Sequence, residues 1–180
     1  MTAAAKARFA QLVLPRMDEG YRLARWLTGS ATDAEDVMQE ACLRAYRSIE
    51  RFTEGNVRSW FLTIVRNAAY TWLERHRPGR VISIEDLSDD AVLEMESGHA
   101  TAAAVETPED ALIAKHQAAS LARAVEALPI HLRETLVLRE YHGLSYRDIA
   151  IVSNLPIGTV MSRLAKARQS LLSLVKEGHP

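Results

Sequence analysis

The chain has 180 residues, 48% of them hydrophobic and 25% charged, and a formal net charge of −1; this allows one ordinary domain or two small ones and excludes collagen-like and low-complexity chains. The single cysteine excludes an internal disulfide and a zinc site built from several cysteines. No apolar stretch reaches the roughly 20 residues of a membrane span, and the apolar run near the start is too short for a signal peptide, so we expect a cytoplasmic protein without membrane insertion.

Helix-forming residues dominate the chain, and their apolar spacing predicts an all-α fold. A first helix is predicted over 9–28, with Pro15 as an alternative starting point. A second helix is predicted from Thr32, which resembles an N-cap followed by first-turn carboxylates, to about Phe52. The segment TEGN breaks it, and a third helix is predicted over 57–77.

The third predicted helix carries basic residues interleaved with aromatic ones. Single-stranded DNA needs cations for its phosphates and flat or hydrogen-bonding surfaces for its unstacked bases, so this composition suits it. The alternative is that the tryptophans pack into the core. The residues concerned are Arg58, Trp60, Arg66, Asn67, Tyr70, Trp72, Arg75, His76 and Arg77.

Charge divides the chain into three parts. Residues 1–80 hold 13 basic and 9 acidic residues, residues 81–114 hold 9 acidic and no basic ones, and residues 115–180 hold 9 basic and 5 acidic ones. This pattern predicts two small helical domains, 1–80 and 115–180, joined by an acidic flexible linker over 81–114. An acidic loop inside a single domain is the alternative.

The last third of the chain predicts a series of capped helices. One helix covers 118–128, and Pro129 opens the next at its first position. A short helix begins after Ser145, whose side chain and that of the acid three residues later form a capping-box-like start. Asn154 tolerates the left-handed conformation of a tight turn, and a longer helix begins at Pro156.

A short helix, a tight turn and a second helix make a helix-turn-helix. Small Ala150 suits the point where the two helices cross, and residues 156–176 contain four basic and no acidic residues, as expected of a helix that enters the major groove. A helical hairpin with a solvated basic face is the alternative. The predicted exposed residues are Thr159, Ser162, Arg163 and Lys166.

No motif for catalysis is present. The six histidines are scattered without a metal-ligand spacing, and the phosphate-binding, dinucleotide-binding and nucleophile-elbow signatures are absent. We therefore predict no catalytic residue, no metal site and no cofactor, and expect Cys42 to be a core residue.

Two segments resemble a known family. YRDIAIVSNLPIGTVMSRLAKAR, preceded by LPIHLRETLVLREYHGLS, is similar to region 4 of bacterial extracytoplasmic-function (ECF) sigma factors. DAEDVMQEACLRAYRSIERF, followed by VRSWFLTIVRNAAYTWLERHR, is similar to region 2 of the same family. The resemblance implies two all-helical domains and a role in recruiting RNA polymerase core to promoters. The chain would bind the β′ clamp and the β flap of the core enzyme, and an anti-sigma factor would control it.

The resemblance also implies roles for residues of the first domain. The second helix would bind the clamp coiled coil of β′, and a loop over 53–57 would help to flip a base of the −10 non-template strand into a pocket beside Phe52 and Asn67. A helix dipole alone would explain the first carboxylates of the second helix, but explains Gln39 and Glu40 less well. The implied core-binding residues are Asp33, Asp36, Gln39 and Glu40. The implied −10 residues are Phe52, Asn56, Arg58, Arg66, Asn67, Tyr70, Arg75 and Arg77.

Region 4 would bind the −35 duplex through the helix-turn-helix. The implied contacts are Ser145, Tyr146, Pro156, Gly158, Thr159, Ser162, Arg163, Lys166 and Arg168. The chain departs from the family pattern at Ile151, Ser153, Asn154 and Met161, where acidic, aliphatic, glycine and basic residues are more usual, so its −35 sequence preference stays open. The alternative function is a stand-alone helix-turn-helix regulator with a helical dimerisation or sensory domain, and a third is a protein-interaction bundle that binds no DNA.

Overall fold

The structure, a computed structural model, describes residues 2–80 and 108–177, and this part of the chain is built from helices and turns without a β-strand. Short 3-10 segments cover Leu14–Arg16 and Pro78–Arg80, and a π-helical turn covers Val137–Tyr141. The α-helices in chain order are α1 (Ala3–Leu12), α2 (Met17–Thr28), α3 (Ala31–Ser48), α4 (Val57–His76), α5 (Pro108–Ala127), α6 (Ile130–Leu136), α7 (Tyr146–Ser153) and α8 (Ile157–Glu177).

The single helix predicted over 9–28 is wrong, because the chain forms α1 and α2 with a 3-10 turn between them. Pro15 lies in that turn; it has no amide hydrogen to donate, and its ring would collide with the preceding helical turn. The alternative start at Pro15 is close to the observed start of α2 at Met17. α2 ends at Thr28, as predicted, and Gly29 caps it with a φ of 77°.

Side-chain caps set where α3 and α4 begin. The cap of α3 is Ser30 and not Thr32: its hydroxyl accepts a hydrogen bond from the backbone N–H of Asp33 at 3.4 Å. The cap of α4 is Asn56, whose side-chain oxygen accepts from the N–H of Arg58 at 3.0 Å. α4 ends at His76, one residue before the predicted end.

The predicted linker over 81–114 lies mostly outside the described residues, but its last part is helical. α5 begins at Pro108, before the predicted domain boundary at 115. Proline has its φ preset for the first turn of a helix, which favours a helix that begins at this residue. Pro129 precedes α6 as its N-cap instead of being its first residue.

The helix-turn-helix is confirmed. Ser145 caps α7 and accepts from the N–H of Asp148 at 3.1 Å. Asn154 ends α7 with a φ of 54°, and no other non-glycine residue in 2–80 and 108–177 has a positive φ. Pro156 comes directly before α8. Ala150 in α7 is partly buried and packs against the core.

One cluster of buried residues runs through both the N-terminal half, residues 2–80, and the C-terminal half, residues 108–177. In the N-terminal half α2, α3 and α4 pack around it; in the C-terminal half α6, α7 and α8 do so. A side chain at Gly20 would approach Phe61 to 2.8 Å, so a glycine allows α2 to lie close to α4. The largest fully buried side chains are Phe61, Leu23, Leu27, Ile49, Leu62, Leu73, Leu128, Leu132, Leu138, Leu144, Ile149 and Leu164.

The two halves pack directly against each other. α7 lies against α4, and α6 lies against α2. In the part of the chain that the structure describes, no helix combines the length and the hydropathy that crossing a bilayer requires.

Candidate polymerase and nucleic-acid interfaces

α3 presents a polar face to solvent. Asp36, Gln39 and Glu40 are exposed at positions i, i+3 and i+4, while Val37 and Ala41 on the other side are buried in the core. Glu40 accepts a hydrogen bond from Nε of Arg44 at 2.7 Å, one turn further along the same helix. These three side chains form a continuous polar surface that we call the α3 face.

Asp33 lies apart from the α3 face. Its carboxylate pairs with Nη2 of Arg77 at 2.9 Å, and Arg77 also donates to the backbone carbonyl of Thr28 at 3.0 Å. A residue that we expected to bind polymerase and one that we expected to bind −10 DNA therefore hold each other in this structure.

Phe52, just before α4, and Asn67, within it, lie on the same side of this helix. The Phe52 ring packs on the Trp60 ring with centroids 4.8 Å apart. Asn67 is exposed, two helical turns after Trp60 and on the same side of α4, about 10 Å along the axis. Its side-chain oxygen accepts from Nη1 of Arg66 at 3.2 Å. Arg75 in the last turn of α4 is also exposed.

A buried carboxylate from the C-terminal half meets the neighbouring side of α4. The Glu134 side chain has no exposed surface; its Oε1 accepts from Nε of Arg66 at 2.7 Å, and its Oε2 accepts from the Tyr70 hydroxyl at 2.6 Å. Ser153 of α7 donates to the same Oε1 at 3.1 Å. We call Arg66, Tyr70, Glu134 and Ser153 the Glu134 cluster.

Burial and charge act together in the Glu134 cluster. Burial and then the negative charge of Glu134 raise the pKa of Tyr70 well above its usual value, so this phenol stays protonated and donates its hydrogen bond. Burial works to lower the pKa of Arg66, but the charge of Glu134, its hydrogen bond with Arg66 and the contributions of Tyr70 together outweigh burial and raise that pKa. The guanidinium of Arg66 also lies 4.2 Å from the centroid of the Tyr70 ring.

Two more carboxylates occupy the start of α4. Arg58 donates from Nε to Glu19 at 2.5 Å and also donates to the backbone carbonyl of His142. Asp148 of α7 accepts from Ser59 at 3.2 Å and from Asn56 at 3.4 Å. Hydrogen bonds from Ser145 first, and then from Ser59 and Asn56, lower the pKa of Asp148.

Arg163 does not lie where the sequence predicts. Helical spacing predicts an exposed side chain on the second helix of the helix-turn-helix, but in the structure Arg163 is only 5% exposed. The attraction of Glu134 favours this position, because it offsets part of the cost of burying a cation. Burial nevertheless lowers the pKa of Arg163 from its usual value.

The other predicted −35 residues are at or near the surface. Ser145, Pro156, Gly158 and Lys166 are exposed, whereas Thr159 and Ser162 are partly buried. Arg139 lies over the ring of the partly buried Tyr146 at 4.9 Å from its centroid. Arg168 pairs with Glu140 at 2.6 Å.

Sequence reasoning missed the carboxylates that cover α4. Glu134 lies in a helix with basic residues near it, and nothing in the sequence marks it as a partner for Arg66, 68 residues away. Asp148 was recognised only as a capping residue, although its second hydrogen-bonding partner is on α4. Glu19 carries no signal at all, because acidic residues are common in the first turn of a helix.

Two family models match this chain: Sigma-70 region 2 over residues 12–79, and Sigma-70 region 4 over residues 118–171. The RNA polymerase sigma-H factor of Pseudomonas aeruginosa is 34% identical over 167 residues, which cover 92% of this chain and 85% of that protein. The ECF RNA polymerase sigma-E factor of Escherichia coli K12 is 34% identical over 140 residues, covering 77% and 72% of the two chains.

Solved structures give the same fold. The sigma factor RpoE of Bartonella quintana, in complex with the anti-sigma factor NepR, matches with a TM-score of 0.66 and 26% identity over 95% of this chain and 98% of that one. CnrH in complex with the cytosolic domain of CnrY matches with a TM-score of 0.64 and 23% identity, covering 94% and 88%.

Proposed function

Because the chain belongs to the extracytoplasmic-function RNA polymerase sigma factors, we propose that it binds polymerase core through the α3 face and promoter DNA through α4 and the helix-turn-helix. One observation carries the proposal. The side of α4 proposed for −10 DNA, which we call the α4 surface, carries Arg58, Ser59, Arg66, Asn67, Tyr70 and Arg75. This surface already binds three carboxylates, those of Glu134, Asp148 and, through Arg58, Glu19. A surface that holds several carboxylates with cations and hydroxyls suits the phosphates of DNA.

The α3 face is the proposed site for the β′ clamp. Its polar groups, Asp36, Gln39 and Glu40, stand on one exposed side of a rigid helix, so arginine or lysine groups of a partner could engage all three together. Asp33 would join them only if its pairing with Arg77 is broken.

The α4 surface is the proposed site for the −10 element. Asn67 and Arg75 are exposed, and Phe52 lies on Trp60 at the start of the same helix, which suits a pocket for a base flipped out of the non-template strand. Arg66 and Tyr70 are covered by the C-terminal half, so their use in DNA binding requires that the two halves separate.

The helix-turn-helix is the proposed site for the −35 duplex. Lys166, Ser145 and the start of α8 are open to solvent, and residues 156–176 carry basic residues and no acid. The β flap of the polymerase would hold this half in place. Arg163 is buried where Arg66 and Tyr70 of α4 also act on its charge, so we expect it to become available only after the halves separate.

We assign the control of this chain to an anti-sigma factor, as in the related sigma factor that was solved with one. A partner that holds the two halves together would keep Arg66, Tyr70 and Arg163 from DNA. The chain would then act in the cytoplasm as a dissociable, non-enzymatic subunit of polymerase, which supplies the catalytic chemistry itself.

The direct test is run-off transcription by purified core and this chain on a library of genomic fragments. We expect a small set of discrete transcripts that need the chain, and none with core alone. A chain that never binds core, yet binds duplex DNA tightly as a dimer, would instead be the stand-alone regulator.

A further inference from the structure

An apolar patch surrounds the turn of the helix-turn-helix. Ile151 at the end of α7, Ile157 at the start of α8 and Met161 one turn later are 55%, 45% and 44% exposed. Ile151 and Ile157 line one shallow concavity, which Arg147 also lines. Ile157 and Met161 are neighbours on α8 at positions i and i+4. We call Ile151, Ile157 and Met161 the apolar patch.

The charges around the apolar patch suit an anionic partner. Residues 146–176 contain a single acid, Asp148, and its carboxylate is turned towards Ser59 and Asn56 of α4. Arg147 lies at the concavity and Lys166 is exposed further along α8. An apolar surface bordered by cations matches the floor of a major groove, where apolar thymine methyl groups lie between two rows of phosphates.

The side chains at the start of α8 limit how it can read bases. Short side chains, which reach less far towards a base, occupy three positions here: Gly158, Thr159 and Ser162. Arg163 is two residues after Met161, about 200° around the helix, so the two side chains cannot reach the same base edge. The long side chains left on the open side of the first two turns are therefore apolar, Ile157 and Met161.

We propose that Met161 and Ile157 determine −35 specificity by contacting the 5-methyl groups of thymines in the major groove. This inference rests on the proposed function. Neither side chain can donate a hydrogen bond to a base edge, so the feature that they distinguish is the methyl group, which thymine alone presents in the groove. They contribute base discrimination, whereas Lys166 supplies attraction to phosphate that is independent of sequence.

The test uses holoenzyme reconstituted from core and the full chain on a promoter found by run-off transcription. Each thymine of the −35 element is replaced in turn by deoxyuridine, which removes only the methyl group, and affinity is measured by competition. We expect at least one replacement to weaken wild-type binding about three- to fivefold, as one methyl group withheld from an apolar contact should do. Met161→Ala or Ile157→Ala should bind thymine and uracil duplexes equally at that position.

Two further variants make the result specific. Met161→Leu keeps an apolar side chain and should restore most of the thymine preference. Leu172→Ala removes an even more exposed apolar side chain far along the same helix and should leave the preference unchanged.

Three outcomes overturn the inference while the proposed function stands. The first is a −35 element without thymine, the second is wild-type affinity that no uracil replacement changes, and the third is a uracil penalty that persists in both alanine variants. In each of these the wild-type holoenzyme still directs run-off transcription. Failure of the wild-type chain to direct any transcription with core would overturn the proposed function itself, and this inference with it.

Discussion

The α3 face and the α4 surface belong to the same N-terminal bundle but differ in what covers them. Asp36, Gln39 and Glu40 on α3 are open to solvent. On α4, Arg66 and Tyr70 are held by Glu134, a residue of the C-terminal half with no exposed side-chain surface. The acidic α3 face is accessible to a partner protein, whereas most cations of the α4 surface are already paired with carboxylates of this chain.

Charge accounts for this difference. The C-terminal half presents carboxylates, Glu134 and Asp148, to the N-terminal bundle, and these can pair with α4 but would repel α3. If core binds through α3 as we propose, this binding would need no rearrangement of the chain, whereas full access of DNA to α4 would need the halves to part. We expect core binding to come first and DNA binding to follow from it.

The largest expected effect comes from reversing the charge of the accessible surface. Asp36→Arg combined with Glu40→Arg should weaken association with core by about 100-fold or more, because like charges then face each other across a desolvated contact. The fold should survive, since both positions are exposed on a helix and arginine is a good helix former. Co-purification with core and circular dichroism measure the two properties.

A control with the same change in charge tests whether position matters. Glu54→Arg combined with Glu74→Arg alters two exposed acids that lie outside α3, and it should leave core binding near the wild-type value. Equal loss in both double variants, or normal binding by the first, would contradict the role of the α3 face.

The next largest effect comes from uncovering α4. Glu134→Gln leaves the partly buried guanidinium of Arg66 and the buried one of Arg163 without a compensating charge, and breaking a buried pair in this way typically costs about 3–5 kcal/mol. The halves should separate, amides of α7 should exchange faster with solvent, and the free chain should gain affinity for a single-stranded −10 oligonucleotide. Hydrogen exchange and fluorescence anisotropy measure these changes.

Glu126→Gln is the matched control for that change. Glu126 also pairs across the two halves, with Arg25 at 3.6 Å, but both side chains are exposed to about 40%. Such a pair contributes less than about 1 kcal/mol, so this variant should stay closed. A Glu134→Gln chain that exchanges as slowly as the wild type and gains no affinity would show that Glu134 does not hold the halves together.

A smaller effect is expected at the proposed flipped-base pocket. Phe52→Ala and Asn67→Ala should each reduce promoter opening about tenfold and leave recruitment unchanged, because Phe52 would stack on the flipped base and Asn67 would hydrogen-bond to it, and aromatic stacking alone is worth about 1–3 kcal/mol per base. Permanganate reactivity of −10 thymines, measured at equal occupancy, reports opening. Thr71→Ala, one turn after Asn67 on the same helix, should open the promoter normally. Normal melting by both pocket variants would remove the assignment.

The smallest effect concerns pH and His142, which lies between the halves. Burial lowers the pKa of His142; Glu19 opposes this, while Arg58 and Arg22 add to it. When the halves separate, this pKa should return towards its usual value of about 6.5. The open form then binds more protons, so the closed form loses stability as pH falls through about 6.5 towards the lowered value, and is unaffected well above it.

Hydrogen exchange of α7 amides between pH 8 and 5.5 measures this effect. His142→Gln should flatten the dependence on pH. His131, whose pKa is also lowered by burial and by Arg163 and Lys166, adds a second contribution, so His131→Gln should be measured beside it. A pH profile that neither variant changes would exclude both histidines as its cause.

Local features of the fold follow from the sequence. Asn154, Gly29 and Ser145 mark the turn, the end of α2 and the cap of α7, because each acts on backbone groups within a few residues of itself. The errors are local too: the sequence alone leaves open whether Pro15 starts a helix or separates two, and the choice between Ser30 and Thr32 as a cap depends on one hydrogen bond.

Some residues of the candidate sites are grouped by helical spacing alone, and others come together only when the two halves pack. Apolar spacing and cap residues are enough to predict an all-α chain and a helix-turn-helix. They also place the residues of the α3 face together, since a helix brings positions i, i+3 and i+4 to one side without help from the rest of the molecule. The burial of Arg163 and the contact of Arg66 with Glu134, 68 residues away, become visible only in the folded molecule. Such contacts depend on how the two halves pack against each other. Helical periodicity indicates only which face of each helix is apolar, so it cannot predict which residues of the two halves meet.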